Sequence, residues 1–185
     1  MGIDLAPTWP ERFDRFEEVL EVLTRLFTGA PVSFEGRHHQ LRDAVLNPLP
    51  IQQPHPPICI GGTGERRTMP LVARYAQHWN YPAWDTDGFA AKRSALVDAC
   101  AAIGRDPSEI LTSMHVPVAA DDLESLPETL AAHEAAGLDL AILYLPLPHR
   151  AELVEELAQI VTPLAEAVKD SAPPADDRGG SVTKS

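Results

Sequence analysis

The residues with the clearest chemical potential are Gly61, Gly62, Thr63 and Gly64, followed by Arg66 and Arg67. Three glycines in four positions leave backbone N–H groups unshielded by side chains, and an anion can approach such donors closely. Two guanidinium groups just beyond can add charge-assisted hydrogen bonds, which suit phosphate. The chemistry this pattern points to is the holding of a phosphate group, not the breaking of a bond. The same four residues also make an ordinary tight turn from a strand into a helix. Pro70 bears on the aim of that helix. A proline is not tolerated deep inside a helix, so the helix starts no earlier than Arg66 or Arg67 and its dipole is directed less squarely at the glycines.

Other reactive side chains are less organised. His38, His39, His55 and His115 match no metal-ligand spacing, and adjacent histidines on a strand point to opposite sides, so no metal is expected. There is no G-x-S-x-G element and no cysteine nucleophile motif, and no catalytic residue is assigned. Most carboxylates lie on the polar faces of helical segments. Parallel α/β sheets bind ligands at the C-terminal ends of their strands. Asn80, His115 and Tyr144 stand near such ends and are the candidate pocket residues, as packing or orienting groups before catalysts.

The elements that must position these residues follow from periodicity. Thr8-Trp9-Pro10-Glu11 has the form of a capping box with proline in the first turn. Phe13, Phe16, Leu20, Leu23 and Phe27 then form one apolar stripe, and Gly29 stops the helix. Residues 31–39 suit a small hairpin turning at Glu35-Gly36. Pro48, Pro50, Pro54, Pro56 and Pro57 make the remainder of 30–57 a long extended connection. From residue 58 onward strands alternate with helices. Strands are expected at 58–60, 77–81, 110–118 and 140–145, and helices at 68–76, 89–103, 126–136 and 151–168. Such alternation means α/β architecture with a parallel sheet and right-handed crossovers, here four β-α units. Residues 1–168 are thus one domain. Residues 169–185, rich in Asp, Pro, Gly and Ser, have little to bury and read as a disordered tail.

Composition narrows the function classes. The chain has 185 residues, 44% hydrophobic and 23% charged, enough for one domain with a core. Its 27 acidic and 15 basic residues give a net charge of −12, which argues against nucleic acid as a partner. No apolar run approaches the roughly 20 residues of a membrane span, and no secretory signal stands at the start. Cys59 lies within an apolar strand and is expected as core filler. Two buried thiols, Cys59 and Cys100, would fit the cytoplasm.

Taken in order, Glu11-Arg12-Phe13-Asp14-Arg15-Phe16-Glu17-Glu18, Phe34-Glu35-Gly36-Arg37-His38, Asn47-Pro48 through Pro57, Ile60 through Thr68, Val72-Ala73-Arg74-Tyr75-Ala76 and Trp79-Asn80 resemble the luciferase-like oxidoreductases (luciferase-like monooxygenases). Within them the chain is most similar to the branch that uses the deazaflavin coenzyme F420, with FMN the alternative. The match runs from about Gly2 to Ala167. The resemblance implies a TIM (β/α)8 barrel with the coenzyme at its C-terminal face. It implies that Gly61, Gly62, Thr63 and Gly64 hold the coenzyme phosphate after the fifth barrel strand. It implies hydride transfer or, with a flavin, monooxygenation of a small organic substrate, with the coenzyme carrying the redox chemistry. Two local departures stand out. Ala76-Gln77-His78-Trp79 replaces the usual Ala-Asp-Gly-Trp, and Pro70 replaces a helix former.

A complete barrel takes about 250 residues. The resemblance covers only the C-terminal half, strands five to eight, and the first four would precede Met1. The alternative function is therefore a non-catalytic half-barrel that at most binds a phosphate-bearing ligand. An open four-stranded sheet also has two free edges. Buried unpaired backbone groups cost about 1–3 kcal/mol each, against a domain stability of about 5–15 kcal/mol. The isolated chain is expected to self-associate, or to take a partner that supplies the missing half-barrel.

Overall fold

The structure is a computed structural model that describes residues 6 and 8–171, with side chains as far as Glu166. Helix α1 (Trp9–Leu26) starts as its capping residues dictate. Thr8 is extended, and its hydroxyl accepts the Glu11 N–H at 3.4 Å. Its stripe is only partly covered: Leu20 is buried, Phe13 and Phe16 pack against the core, and Leu23 stays 37% exposed. Strands β1 (Val32–Glu35) and β2 (Gln40–Ala44) then form an antiparallel hairpin. The connection spans residues 36–39, longer than a turn at Glu35-Gly36. Glu18 on α1 explains why. Its carboxylate accepts the backbone N–H groups of Arg37, His38 and His39 at 2.7–3.2 Å, and the loop wraps around it.

The remaining elements are β3 (Cys59–Gly61), α2 (Thr68–Tyr75), β4 (His78–Tyr81), α3 (Thr86–Ile103), β5 (Leu111–Pro117), α4 (Leu126–Ala135), β6 (Leu140–Tyr144) and α5 (Ala151–Ser171). Two short 3-10 turns precede β5 and α4. The four strands β3–β6 form one parallel sheet in sequential order, as four consecutive staves of a barrel would. Helix α3 starts three residues before the expected Phe89. Asp85 caps it by accepting the Gly88 N–H at 2.8 Å, and the Tyr81 hydroxyl donates to the same carboxylate at 3.0 Å. Helix α5 runs to Ser171, past the expected domain end at 168, and residues 172–185 of the expected tail lie outside the described residues. No helix among the described residues is long and apolar enough to cross a membrane.

The two faces of the sheet have different surroundings. Ile60, Trp79, Tyr81, Met114 and Val116 point outward into the helix layer, where Met69 and Val72 of α2 and Phe89, Leu96 and Cys100 of α3 enclose them. Trp79 stacks on Phe89 with ring centroids 5.6 Å apart, and Tyr81 meets both rings edge-on. The alternate residues face the open, inner side, and this corrects the expectation for Cys59. Ile58-Cys59-Ile60 reads as an apolar run, as strands covered on both faces do. Here only the Ile60 side is covered, and Cys59 is exposed while Cys100 is buried.

Candidate functional site

The glycine turn leaves β3 at its C-terminal end and is tied to the next strand by two bonds. Gly62 N–H donates to the Asn80 carbonyl at 3.2 Å, and the Trp79 indole N–H donates to the Gly62 carbonyl at 2.9 Å. Trp79 is fully buried, so the core itself fixes the turn from beneath. Gly62 has φ +134°, a conformation that a side chain disfavours. Gly64 is required for a different reason: an added Cβ would lie 2.9 Å from Thr68 Oγ1, and Thr68 is buried.

The donors available to an anion belong to the turn and not to the helix end. Helix α2 begins at Thr68, and the N–H groups of Thr68 and Met69 are both taken by the Gly64 carbonyl, at 2.8 and 3.0 Å. Pro70 has no N–H. By contrast, no described residue accepts a hydrogen bond from the backbone N–H of Thr63, Gly64, Glu65 or Arg66. Successive free N–H groups in a turn form a concavity that suits a phosphate. This is the fit the residues offer to a phosphorylated coenzyme.

The surrounding charges divide the expected phosphate ligands. Arg66 is exposed, and among the described residues no carboxylate pairs with it. Arg67 donates to Asp14 at 2.5 Å, and its guanidinium lies 5.5 Å from the centre of the Phe13 ring, so it fastens α2 to α1. Its hydrogen bond holds the Asp14 carboxyl below the usual carboxylate range. Glu65 would place a negative charge beside the turn, but Lys92 of α3 binds it at 2.6 Å and keeps its carboxyl ionised. The pair brings a movable ammonium to the rim of the turn, which the sequence pattern did not indicate.

Asn80, His115 and Tyr144 all project from the inner face. Asn80 is in register with Gly61 and with Ser113, and its Nδ2 donates to Ser113 Oγ at 2.9 Å. Ser113 Oγ is also 2.6 Å from His78 Nε2. Burial pushes the His78 pKa down. Asn80 donates to the Ser113 hydroxyl, and the same hydroxyl shares a hydrogen bond with His78 Nε2 whose direction is set by the imidazole tautomer. His115 and Tyr144 form a separate pair, rings edge-on at 6.2 Å. His78 and Ser113 were not singled out from the sequence. Their signal was the two-residue alternation His78/Asn80 and Ser113/His115, which sets each pair on one face.

Two concavities, of about 550 and 590 Å³, lie elsewhere. One is bounded by Trp84 at the start of α3 and by Glu128 and His133 along α4, the other by α4, α5 and the outer face of β6. Neither includes the glycine turn. A barrel pocket needs walls on both sides, and β3–β6 supply one side.

Residues 1–180 match the family model of the luciferase-like monooxygenases. The F420-dependent glucose-6-phosphate dehydrogenase of Microbacterium testaceum is 32% identical over 114 residues, covering 60% of this chain and 33% of that protein. The coenzyme F420-dependent tetrahydromethanopterin reductase from Methanopyrus kandleri superimposes with a TM-score of 0.68 at 14% identity, over 83% of this chain and 63% of that one. A riboflavin lyase solved with modified FMN and riboflavin gives a TM-score of 0.56 at 15% identity, over 71% and 34%. The chain thus spans about a third of the length of the curated relative it matches.

Proposed function

The chain belongs to the luciferase-like monooxygenase family, and from that premise we propose that it forms the coenzyme-phosphate half of an F420-dependent oxidoreductase acting on a small organic substrate. The observation that carries this reading is the run of free N–H groups in Thr63–Arg66 at the C-terminal end of β3. The N–H groups of Thr63 through Arg66 would hold the phosphate, with Gly61 and Gly62 shaping the turn rather than donating, and with the Arg66 side chain and, on release from Glu65, Lys92 adding positive charge. Asn80 and Ser113 line the inner face beside Gly61, where they orient what lies against the sheet. The deazaflavin, when bound, supplies hydride transfer. F420 is preferred to FMN because relatives named as F420-dependent include both a sequence match and a structural match. The two free thiols support a cytoplasmic location.

A second reading, a half-barrel that binds a phosphorylated ligand without catalysis of its own, is favoured by the open inner face. Binding assays on purified protein address both. Fluorescence titrations would compare F420 with the same deazaflavin lacking its phosphate, and FMN with riboflavin. The proposal expects the phosphorylated forms to bind more tightly by about tenfold or more, the worth of one charge-assisted hydrogen bond. It expects Gly64→Val to erase that difference. Equal affinity for phosphorylated and phosphate-free forms would exclude the glycine turn as the phosphate site. Binding without turnover would leave the second reading.

A further inference from the structure

Taking the glycine turn as the phosphate site proposed above, we infer that the Glu65–Lys92 pair makes it selective for a phosphodiester over a phosphate monoester. A diester carries one negative charge, and a monoester carries close to two at neutral pH.

The charged side chains around the turn cancel, except for one. Arg66 and Arg67 follow the glycines, a pattern that promises two guanidinium groups for one anion. Arg67 is withdrawn from that role by Asp14 of α1, which it binds at 2.5 Å. Glu65 and Lys92 form a second pair at 2.6 Å. Arg37 also approaches Asp14, at 4.0 Å, and is offset by Glu18, which accepts its backbone N–H at 2.7 Å. The hydrogen bonds from Arg67 and Lys92 hold the Asp14 and Glu65 carboxyls below the usual carboxylate range, so both are ionised at neutral pH. Arg66 is left as the uncompensated cation of the turn among the described residues.

The fold holds Glu65 at the rim. Its own N–H is one of the free donors of the turn, and its carboxylate is bound by Lys92. Lys92 belongs to α3, which is seated in the core by Phe89 and Leu96 and capped at its start by Asp85. Within the pair the lysine side chain is the more sheltered, 30% exposed against 61% for Glu65. The carboxylate is therefore anchored to a rigid helix and does not drift away from the turn.

A phosphodiester needs hydrogen-bond donors and one positive charge, and the free N–H groups with Arg66 supply both. The second charge of a monoester loses hydration on entering the turn and finds no further net positive charge there. Lys92 reaches it only by leaving Glu65, which then stands unpaired beside the same anion. The pair thus adds no net charge whichever partner Lys92 takes. A turn built for a dianion would leave Arg67 and Lys92 free, and here a carboxylate occupies each.

The test titrates the full chain, by fluorescence and at low salt, with three probes that share one deazaflavin ring: the phosphate-free alcohol, its phosphate monoester, and the methyl diester of that phosphate. At about pH 8 the monoester is fully dianionic, since its second pKa is about 6, and His78, whose pKa burial lowers, is neutral. The diester should bind more tightly than the monoester by about threefold or more, the weight of one uncompensated charge in a partly exposed site. Both should bind more tightly than the alcohol. Glu65→Gln frees Lys92 for the second charge and should reverse the order of the two phosphates. Lys92→Met leaves Glu65 unpaired and should widen the preference for the diester. Glu65→Gln combined with Lys92→Met removes both charges and should return the ratio to that of the parent. Equal binding of all three probes would remove the phosphate site and this inference together. Tighter binding of both phosphates than of the alcohol, with the monoester ahead in the parent or the ratio unmoved by Glu65→Gln, would overturn the selectivity alone and leave the phosphate site standing.

Discussion

The outer and inner faces of the β3–β6 sheet are built from the same four strands, yet only one of them is finished. On the outer face Trp79, Tyr81 and Phe89 interlock, Met69, Met114 and Val116 are at most 1% exposed, and α2 and α3 exclude water. On the inner face a single chain of hydrogen bonds, Asn80 to Ser113 to His78, sits among half-covered apolar side chains. The difference separates two jobs. The outer face holds the strands in register and, through the Trp79 indole, props the glycine turn. The inner face presents groups to whatever completes the barrel.

If this division holds, the largest effect comes from Trp79→Ala. Truncating a buried aromatic costs about 3–5 kcal/mol, comparable to the whole stability of a small domain. Chemical denaturation should show loss of the cooperative transition, and retention of it would mean that the outer face is not what holds the sheet. Gly62→Ala is expected next, at about 1–3 kcal/mol, because alanine is strained at φ +134°. Its melting temperature should fall, whereas Gly61→Ala should melt like the parent, since a Cβ there meets nothing closer than the Asn80 carbonyl oxygen at 3.7 Å.

Inner-face changes should be milder. Ser113→Ala removes the hydroxyl shared by Asn80 and His78 and should cost about 1–3 kcal/mol, read from the denaturation midpoint. A larger loss than that of Trp79→Ala would invert the comparison between the faces. The smallest effect is a pH dependence. Because the folded-state pKa of His78 is depressed, its contribution to stability is fully present above the unfolded value of 6.5 and is lost as pH falls from there through the folded value. His78→Gln should abolish that slope. Asp14 and Glu18 titrate in a separate window. Burial raises the Glu18 pKa, but the N–H groups of His38, Arg37 and His39 outweigh it. Both folded values are lowered, so their contributions are lost only as pH drops below 3.8 for Asp14 and 4.5 for Glu18. Persistence of the higher-pH slope in His78→Gln would assign it to another group.

Much of this molecule was legible in one dimension because its local rules agree. Thr8 with Pro10, the stripe from Phe13 to Leu20, Gly29 past the helix end, and the alternation of strands and helices from residue 58 each carry their own signal. The start of α3 was not legible. Asp85 as cap depends on the Tyr81 hydroxyl as well as on Gly88, and Gly88 itself reads as a helix breaker. The candidate site was partly legible: the glycine turn is a local pattern, and Asn80, His115 and Tyr144 follow from where strands end.

The sequence by itself determined the order of elements, the parallel architecture and the place of the glycine turn, because backbone propensity and hydrophobic period act over a few residues. Only the tertiary structure decided which glycine-turn donors stay free, that Arg67 is committed to Asp14 while Lys92 guards Glu65, and that Cys59 lies on the uncovered inner face of the sheet. Those outcomes depend on which side chains from distant segments arrive first at each hydrogen-bonding group and on which face of a strand a helix covers. Neither is encoded in any short stretch of the chain.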